Sequence, residues 1–314
     1  MNEAILIDQV SKKFRKSPFS RELLALDNIS LTVEQGEVFG FVGQNGAGKS
    51  TTIKILVGIL TASSGAARVF GHDVNSPLAR AGMGYVPENP LLYDYLTPME
   101  VLTTGLRLHQ VKVVDERAHC LSWLERFGIA NVADQRIRSF SKGMMQRTAL
   151  AHALAIQPRL LILDEPLSGL DPIGRREVVD ILEEYRKGGG TLFFSSHVLH
   201  DVERLADRFG VIHRGELVAL RSPNDLVGGE QYVTVRTLGS APLEGFQQEA
   251  GDRWLAEVRR ENLWQALGSA QAAGHTLVEV RPTLSLESAF LRFVESGNQP
   301  RETGAITGDG SEPA

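Results

Sequence analysis

A layered α/β domain carrying a helical insertion, followed by a small α+β domain, is the fold this sequence predicts, on three observations. β-type runs alternate with helical patterns over the first two thirds of the chain. An interval of helices alone breaks that alternation between about residues 91 and 157. The patterning then changes character after SPNDLVGGEQ at residues 222–231. The β-type runs are ILIDQV (5–10), VFGFVG (38–43), ARVFG (67–71), MGYVP (83–87), LLILD (160–164), TLFFSS (191–196) and FGVIH (209–213). In the helical interval, TPME at 97–100 is a capping box with Pro98 at the first helical position. DERAHCLSWLERFG and the residues after FSKG continue it, the last as a helix from Met144. Beyond residue 231, YVTVRT and WLAEVR alternate as strands, ENLWQALGSAQAAG is helical and TLVEVRP is a strand. SLESAFLRFVES is then an amphipathic helix with Leu286, Phe290 and Phe293 on one face. The expected units are residues 1–225 with a helical part at about 88–157, residues 231–296, and a disordered tail at 297–314, rich in Gly, Pro, Glu and Thr.

Composition narrows the class. At 314 residues and 42% hydrophobic the chain can bury a sizeable core. A net charge of -5 and a pI near 5.9 argue against a nucleic-acid binder, which needs a basic face to neutralise phosphates. The one basic run, SKKFRK at 11–16, reads as a solvated strand edge. The single cysteine, Cys120, excludes an internal disulfide framework, suits a reducing compartment and is expected in the core. No window approaches the roughly 18 apolar residues of a membrane span, and MNEAILIDQ lacks the basic start and apolar run of a signal peptide. The expected place is the cytosol, with room for a peripheral role at a membrane.

GQNGAGKST, residues 43–51, fits G-x-x-x-x-G-K-[ST] between a strand and a helical run. Gly43, Gly46 and Gly48 let the backbone around Gln44, Asn45 and Ala47 curl so that successive N–H groups face one anion, and the N-terminus of the helical run that begins Ser50-Thr51 adds its partial positive charge. Lys49 is placed to reach β- and γ-phosphates and Ser50 to ligate Mg²⁺. LLILDEP, residues 160–166, adds a buried strand ending in two acids, Asp164 for the metal and Glu165 to polarise the attacking water. Carboxylates at a strand end also serve as helix caps, so it is the pairing with a phosphate loop that points to ATP chemistry.

The order of FSKGMMQR (140–147), LLILDEP, SGLD (168–171) and SSH (195–197) resembles the ATP-binding cassette family, whose signature segment has the form LSGGQ. The resemblance covers residues 1 to about 225. It implies that Ser141, Lys142, Gly143 and Met144 complete the ATP site of a second copy, so that two cassettes sandwich two nucleotides head to tail. It further implies that Phe14 stacks on adenine, Asp171 couples the two sites, and His197 contacts the γ-phosphate. A core position is the competing role for Phe14. Two departures stand out: Lys142 and Met144 replace a glycine and a glutamine of the signature, and Glu88 stands where the family has a glutamine that touches the metal and the water. SLESAFLRFVE, YVPE and SKGMMQR resemble bacterial exporters related to daunorubicin resistance proteins. The resemblance therefore implies an ATPase subunit using ATP and Mg²⁺, peripheral on the inner face of the cell membrane. Its partners would be a separate polytopic permease and a second copy or a homologous ATPase subunit, with no nucleic acid. A translation or DNA-repair ATPase of the same family is the first alternative, and its usual second cassette or long coiled-coil insertion is not seen. A nucleotide-sensing adaptor is the second, against which Glu165 and His197 stand.

Overall fold

The computed structural model describes residues 2–15, 22–222 and 232–282. Two sheets share the first part of the chain. β1 (Glu3–Phe14), β2 (Leu23–Glu34), β4 (Ser64–Val69) and the two-residue β5 (His72–Asp73) form an antiparallel sheet in the order β2-β1-β4-β5. The second sheet runs β10 (Glu216–Arg221), β9 (Arg208–His213), β3 (Val38–Val42), β8 (Thr191–Ser196), β7 (Leu160–Asp164), β6 (Met83–Val86). Its neighbours are parallel except β10, which pairs antiparallel with β9.

The central sheet is buried on both faces, which is why β3, β7 and β8 read as continuous apolar runs rather than as alternating ones. Phe39, Phe41, Leu160, Ile162 and Phe193 face the antiparallel sheet and pack with Ile5, Ile7, Ile29 and Leu31. Phe39 and Phe193 stack with centroids 5.6 Å apart. Their neighbours Val38, Val42, Leu161, Leu163, Leu192 and Phe194 point the other way, into a core built with the helices. Those helices are α2 (Pro98–Leu108), α3 (Glu116–Arg126), α4 (Lys142–Ala155), α5 (Pro172–Lys187) and α6 (Leu199–Leu205), while α1 (Lys49–Leu56) packs on the opposite side.

Between β6 and β7 lie α2, α3, α4 and short 3₁₀ turns, and no strand. Thr97 and Glu100 exchange side chain-to-backbone bonds at 3.2 and 2.9 Å, the reciprocal capping expected of TPME. Cys120 is fully buried, and burial pushes its thiol pKa up.

Several expectations need correction. β2 was not foreseen: Ile29, Leu31 and Val33 alternate into the core, but Asn28 at φ 51 and a run of register shifts on the partner strand blur the period. β10 follows a tight turn at Arg214-Gly215, both with positive φ, and has no buried alternation to announce it, Ala219 alone being buried. The basic run lies at the end of β1, where pairing with β4 stops at Ser11 and residues 12–14 pair with β2 alone, a strand margin with Lys13 and Arg15 exposed; Lys12 Nζ donates to the Thr61 carbonyl at 2.7 Å. Helix α4 starts at Lys142, two residues earlier than expected, because Ser141 caps it.

The C-terminal part has its own sheet: β11 (Tyr232–Leu238), β12 (Gln247–Ala250), β13 (Arg253–Arg259) and β14 (Thr276–Pro282) in the antiparallel-neighbour order β12-β13-β11-β14. α7 (Leu263–Ala272) connects β13 to β14, and Val233, Val235, Phe246, Ala256 and Ala270 form a separate small core. The amphipathic segment 285–296 lies outside the described residues. Among the described residues no helix is long and apolar enough to cross a membrane.

Candidate nucleotide site

The site forms at the carboxyl ends of β3, β7 and β8. β3 is held on both sides, by β8 and β9, so its last residue is a fixed point from which the chain must turn sharply into α1. Only glycine fits two corners of that turn. A Cβ on Gly43 would stand 2.5 Å from the Ile212 carbonyl oxygen, and Gly48, at φ 118, has Leu26 Cδ2 within 2.7 Å of where its Cβ would be. No side chain caps α1, so the N–H groups of its first turn remain directed into the loop, where a helix end attracts anions.

Lys49, the first residue of α1, is buried. Its ammonium donates to the Gly43 carbonyl at 2.6 Å, lies 3.4 Å from the Gln44 carbonyl, and pairs with Glu165 Oε1 at 3.2 Å. Glu165 is buried too and follows the end of β7 at φ 50, a left-handed conformation unusual for a side-chain-bearing residue. Its Oε2 lies 2.8 Å from His197 Nδ1, the residue just beyond β8. Its Oε1 has the Lys49 charge beside it yet receives no well-aimed hydrogen bond. Ser195 locks the two strand ends together: its hydroxyl donates to Asp164 Oδ1 at 2.6 Å and accepts from the Glu165 N–H at 3.0 Å. Burial, reinforced by the Asp164 charge, pushes the nearby Tyr85 hydroxyl up to about 12. Asp201 behind His197 has its carboxyl pushed up chiefly by burial, with Arg175 opposing.

Gln44, Asn45, Gly46, Gly48, Lys49, Ser50, Thr51, Glu88 and Glu165 line one cavity of about 350 Å³. Larger hollows, of about 530 and 420 Å³, surround Phe70 and Arg159 at the opposite end of the central sheet, out of reach of these groups. A polyphosphate fits the first cavity, which offers a glycine-shaped loop, an uncapped helix end and a buried ammonium; the buried Glu165 oxygen with unused acceptor capacity suits a donor such as water. No group of three or more His, Cys, Asp or Glu among the described residues could hold a metal by itself. A divalent ion here would therefore share the Ser50 hydroxyl and nearby carboxylates with phosphate oxygens, which suits a hard cation that keeps a mixed oxygen shell.

The remaining sequence candidates lie elsewhere. Phe14, at the end of β1, is half-buried with the Lys12 ammonium 5.1 Å over its ring, and it does not line the cavity. Ala47 is buried beneath the loop. Ser141 caps α4, its hydroxyl accepting from the Met144 N–H at 3.3 Å, with Lys142 exposed and Gly143 and Met144 half-buried beside it. None of the four reaches the cavity around Lys49. Lys142 lays its aliphatic stem across Gly169, whose Cβ would meet Lys142 Cδ at 3.1 Å, so the long side chain is folded onto the neighbouring loop. Asp171 caps α5 through the Gly174 N–H at 2.8 Å. Ser195 and Tyr85 were missed from the sequence. Ser195 stood one residue inside a recognised strand, where a serine among phenylalanines facing a core is itself a signal.

A phosphate loop on the central strand of a mostly parallel sheet, facing two acids at the end of a neighbouring strand, defines a phosphate-loop nucleotide-binding protein. A family model described as ABC transporter matches residues 26–168. An uncharacterized ABC transporter ATP-binding protein of Synechocystis sp. is 35% identical over 315 residues, covering 95% of this chain and 85% of its own length. The bacitracin transport ATP-binding protein BcrA of Bacillus licheniformis is 38% identical over 200 residues, 62% of this chain and 63% of its own. A solved ATP-binding subunit of an ABC transporter superposes with a TM-score of 0.65 at 28% identity, covering 71% of this chain and 91% of that one. The chain belongs to the ATP-binding subunits of ABC transporters, and it is an ATPase of that family, coupled to transport.

Proposed function

We propose that this chain powers an exporter, and that it does so by closing with a second cassette over two ATP molecules. The observation that carries the reading is the meeting of buried Lys49 and Glu165 with the exposed ring of His197 beside the phosphate loop. Lys49, already drawn between two carbonyls and Glu165, presents its charge to the β- and γ-phosphates. Glu165 accepts the proton of the attacking water, and His197, held by Glu165 Oε2, orients toward the γ-phosphate. Ser50, Asp164 and Glu88 are the residues that would hold Mg²⁺, which when bound neutralises charge developing on the phosphate oxygens. The Asp164 carboxylate is kept in place by the donated Ser195 hydroxyl.

Ser141, Lys142, Gly143 and Met144 sit on an exposed helix entrance away from their own chain's phosphate loop, which suits a site offered to another copy's nucleotide. Phe14 is assigned to the adenine and Asp171 to the loop between the two sites. The cassette is assigned to residues 1–225 and an accessory unit to 231–296, the latter supported by its separate small core. Export is supported by the bacitracin and lantibiotic transport relatives. The membrane partner is a separate permease, and the patch of exposed Leu91, Tyr93 and Tyr95 beside Glu88 is the surface assigned to it. The subunit would then act at the inner face of the membrane.

Size-exclusion chromatography with and without ATP tests the closure. Glu165→Gln is expected to accumulate as an ATP-bound dimer, most visibly with limiting Mg²⁺, while Lys49→Ala stays monomeric. An inactive Glu165→Gln protein that binds ATP and never dimerises would remove the role given to Ser141–Gly143.

A further inference from the structure

Glu165 needs outside help to stay where it is. A left-handed glutamate persists only where its surroundings over-determine it, and here four hydrogen bonds fix successive backbone groups of the turn after β7. The Glu165 N–H donates to Ser195 Oγ at 3.0 Å, and the Ser168 N–H donates back to the Glu165 carbonyl at 3.0 Å. Arg175 Nε, from α5, donates to the Leu167 carbonyl at 3.2 Å. Gln146 Nε2, from α4, donates to the Pro166 carbonyl at 3.0 Å.

The last bond is the unexpected one. Gln146 is 0% exposed, and its Oε1 is buried without a hydrogen-bond partner. An amide half-satisfied in a core is worse for stability than an apolar side chain of the same length. Packing alone does not call for glutamine here. What glutamine supplies, and methionine does not, is the donor to Pro166. The neighbouring Arg147 anchors the same helix, donating to the Phe127 carbonyl at 2.8 Å and pairing with Glu177 of α5 at 2.9 Å. α4 is therefore braced against α3 and α5 while its second turn grips the turn that carries Glu165. Its first turn is the Ser141–Gly143 entrance.

We propose that Gln146 is a positioning residue for ATP hydrolysis: through the Pro166 carbonyl it holds Glu165 in its left-handed conformation and ties that placement to the helix whose N-terminus is Ser141–Gly143. The proposal rests on the reading of Glu165 as the base. It gives a mechanical link within one chain between the residue that activates water at one nucleotide and the segment offered to the other. Movement of the α4 entrance on engaging a second copy's nucleotide moves the anchor of Glu165.

Gln146→Met, close in length and shape and free of the orphan oxygen, tests this in the full-length protein. Steady-state ATPase is expected to show kcat reduced about tenfold or more, the scale on which mispositioning of a catalytic group acts, with KM for ATP within about twofold. In a Glu165→Gln background the same change is expected to lower the residual rate less than about twofold, because it acts through Glu165. A kcat equal to wild type, or equal losses in both backgrounds, overturns the proposal even if Glu165→Gln is inactive. A Glu165→Gln protein with normal turnover instead overturns the reading on which it rests. If Gln146→Met does not fold, Gln146→Asn carries the same expectation, since it keeps the amide but is one methylene too short to reach Pro166.

Discussion

Replacing Glu165 by Gln changes one atom and separates two consequences that the geometry binds together. Glu165 and Lys49 are both buried and 3.2 Å apart. At an effective dielectric constant of about 20 a pair at that distance attracts by roughly 5 kcal/mol, and breaking a buried pair by removing one charge typically costs about 3–5 kcal/mol. Lys49 keeps the Gly43 carbonyl at 2.6 Å, so the lower end applies, about 3 kcal/mol. For a cassette of this size that corresponds to a fall of roughly 6–12 °C in Tm without nucleotide. Bound ATP supplies the charge that Lys49 has lost, so the mutant is expected to recover most of that loss on adding ATP and to gain more from the nucleotide than wild type does. Turnover moves the other way, falling by on the order of 10² or more, the usual scale for loss of a general base. Differential scanning fluorimetry with and without ATP, alongside a phosphate-release assay, reads both. Wild-type turnover refutes Glu165 as the base, and an unchanged Tm without nucleotide refutes the Lys49–Glu165 pair as a source of stability.

Three further outcomes are expected. Tyr93 and Tyr95 are exposed, with ring centroids 5.5 Å apart, and replacing both by Ser should abolish transport while leaving basal ATPase activity intact; normal export by the double mutant counts against the permease surface. A chain ended at residue 225 should keep MgATP binding, since every phosphate-handling residue precedes that point; a folded fragment unable to bind nucleotide would overturn the boundary. His152 is held well below its ordinary 6.5, at about 4, first by burial and then by the nearby His109. The unfolded chain therefore binds more protons than the native one between those values, so this contribution is complete above about pH 6.5 and is lost as pH falls toward 4. The loss amounts to at most about 3 kcal/mol. Urea midpoints measured from pH 7 to 4.5 should fall less steeply in His152→Gln, and parallel curves would refute the assignment.

What could be read from the sequence was whatever is encoded locally. The loop GQNGAGKST announces itself by its spacing between a strand and a helix, although what bars a side chain at Gly43 and Gly48 is contact with Ile212 and Leu26, far away in the sequence. TPME likewise states its cap in four letters, and β7 and β8 announce themselves because both their faces are buried. Strand β2 was illegible for the opposite reason: Asn28 turns left-handed in mid-strand, and the partner registers shift around it, so the alternation that identifies a half-buried strand loses its phase. β10 and β12 end their sheets and lack a buried alternation, with β12 exposed throughout, so neither carries the pattern that marks even the four-residue β6.

The site divides along the same line. Lys49, Asp164, Glu165 and His197 sit in recognisable segments, but which atoms meet was set by the register of β7 against β8. That pairing puts Asp164 opposite Ser195 and brings His197 beside Glu165. Shifting the register by one residue would turn Ser195 to the other face of the sheet, leave Asp164 without its hydroxyl donor and carry His197 away from Glu165. The same logic explains why Gln146 gave no signal. On α4 it shares a buried face with Ala149, Leu150 and Ala153, and by sequence alone a glutamine there is only an interruption of the pattern. Its meaning comes from a loop 20 residues away. The catalytic arrangement is thus distributed between letters that name the chemistry and strand and helix packing that aims it, and substitutions in the second group should impair turnover without touching a single phosphate ligand.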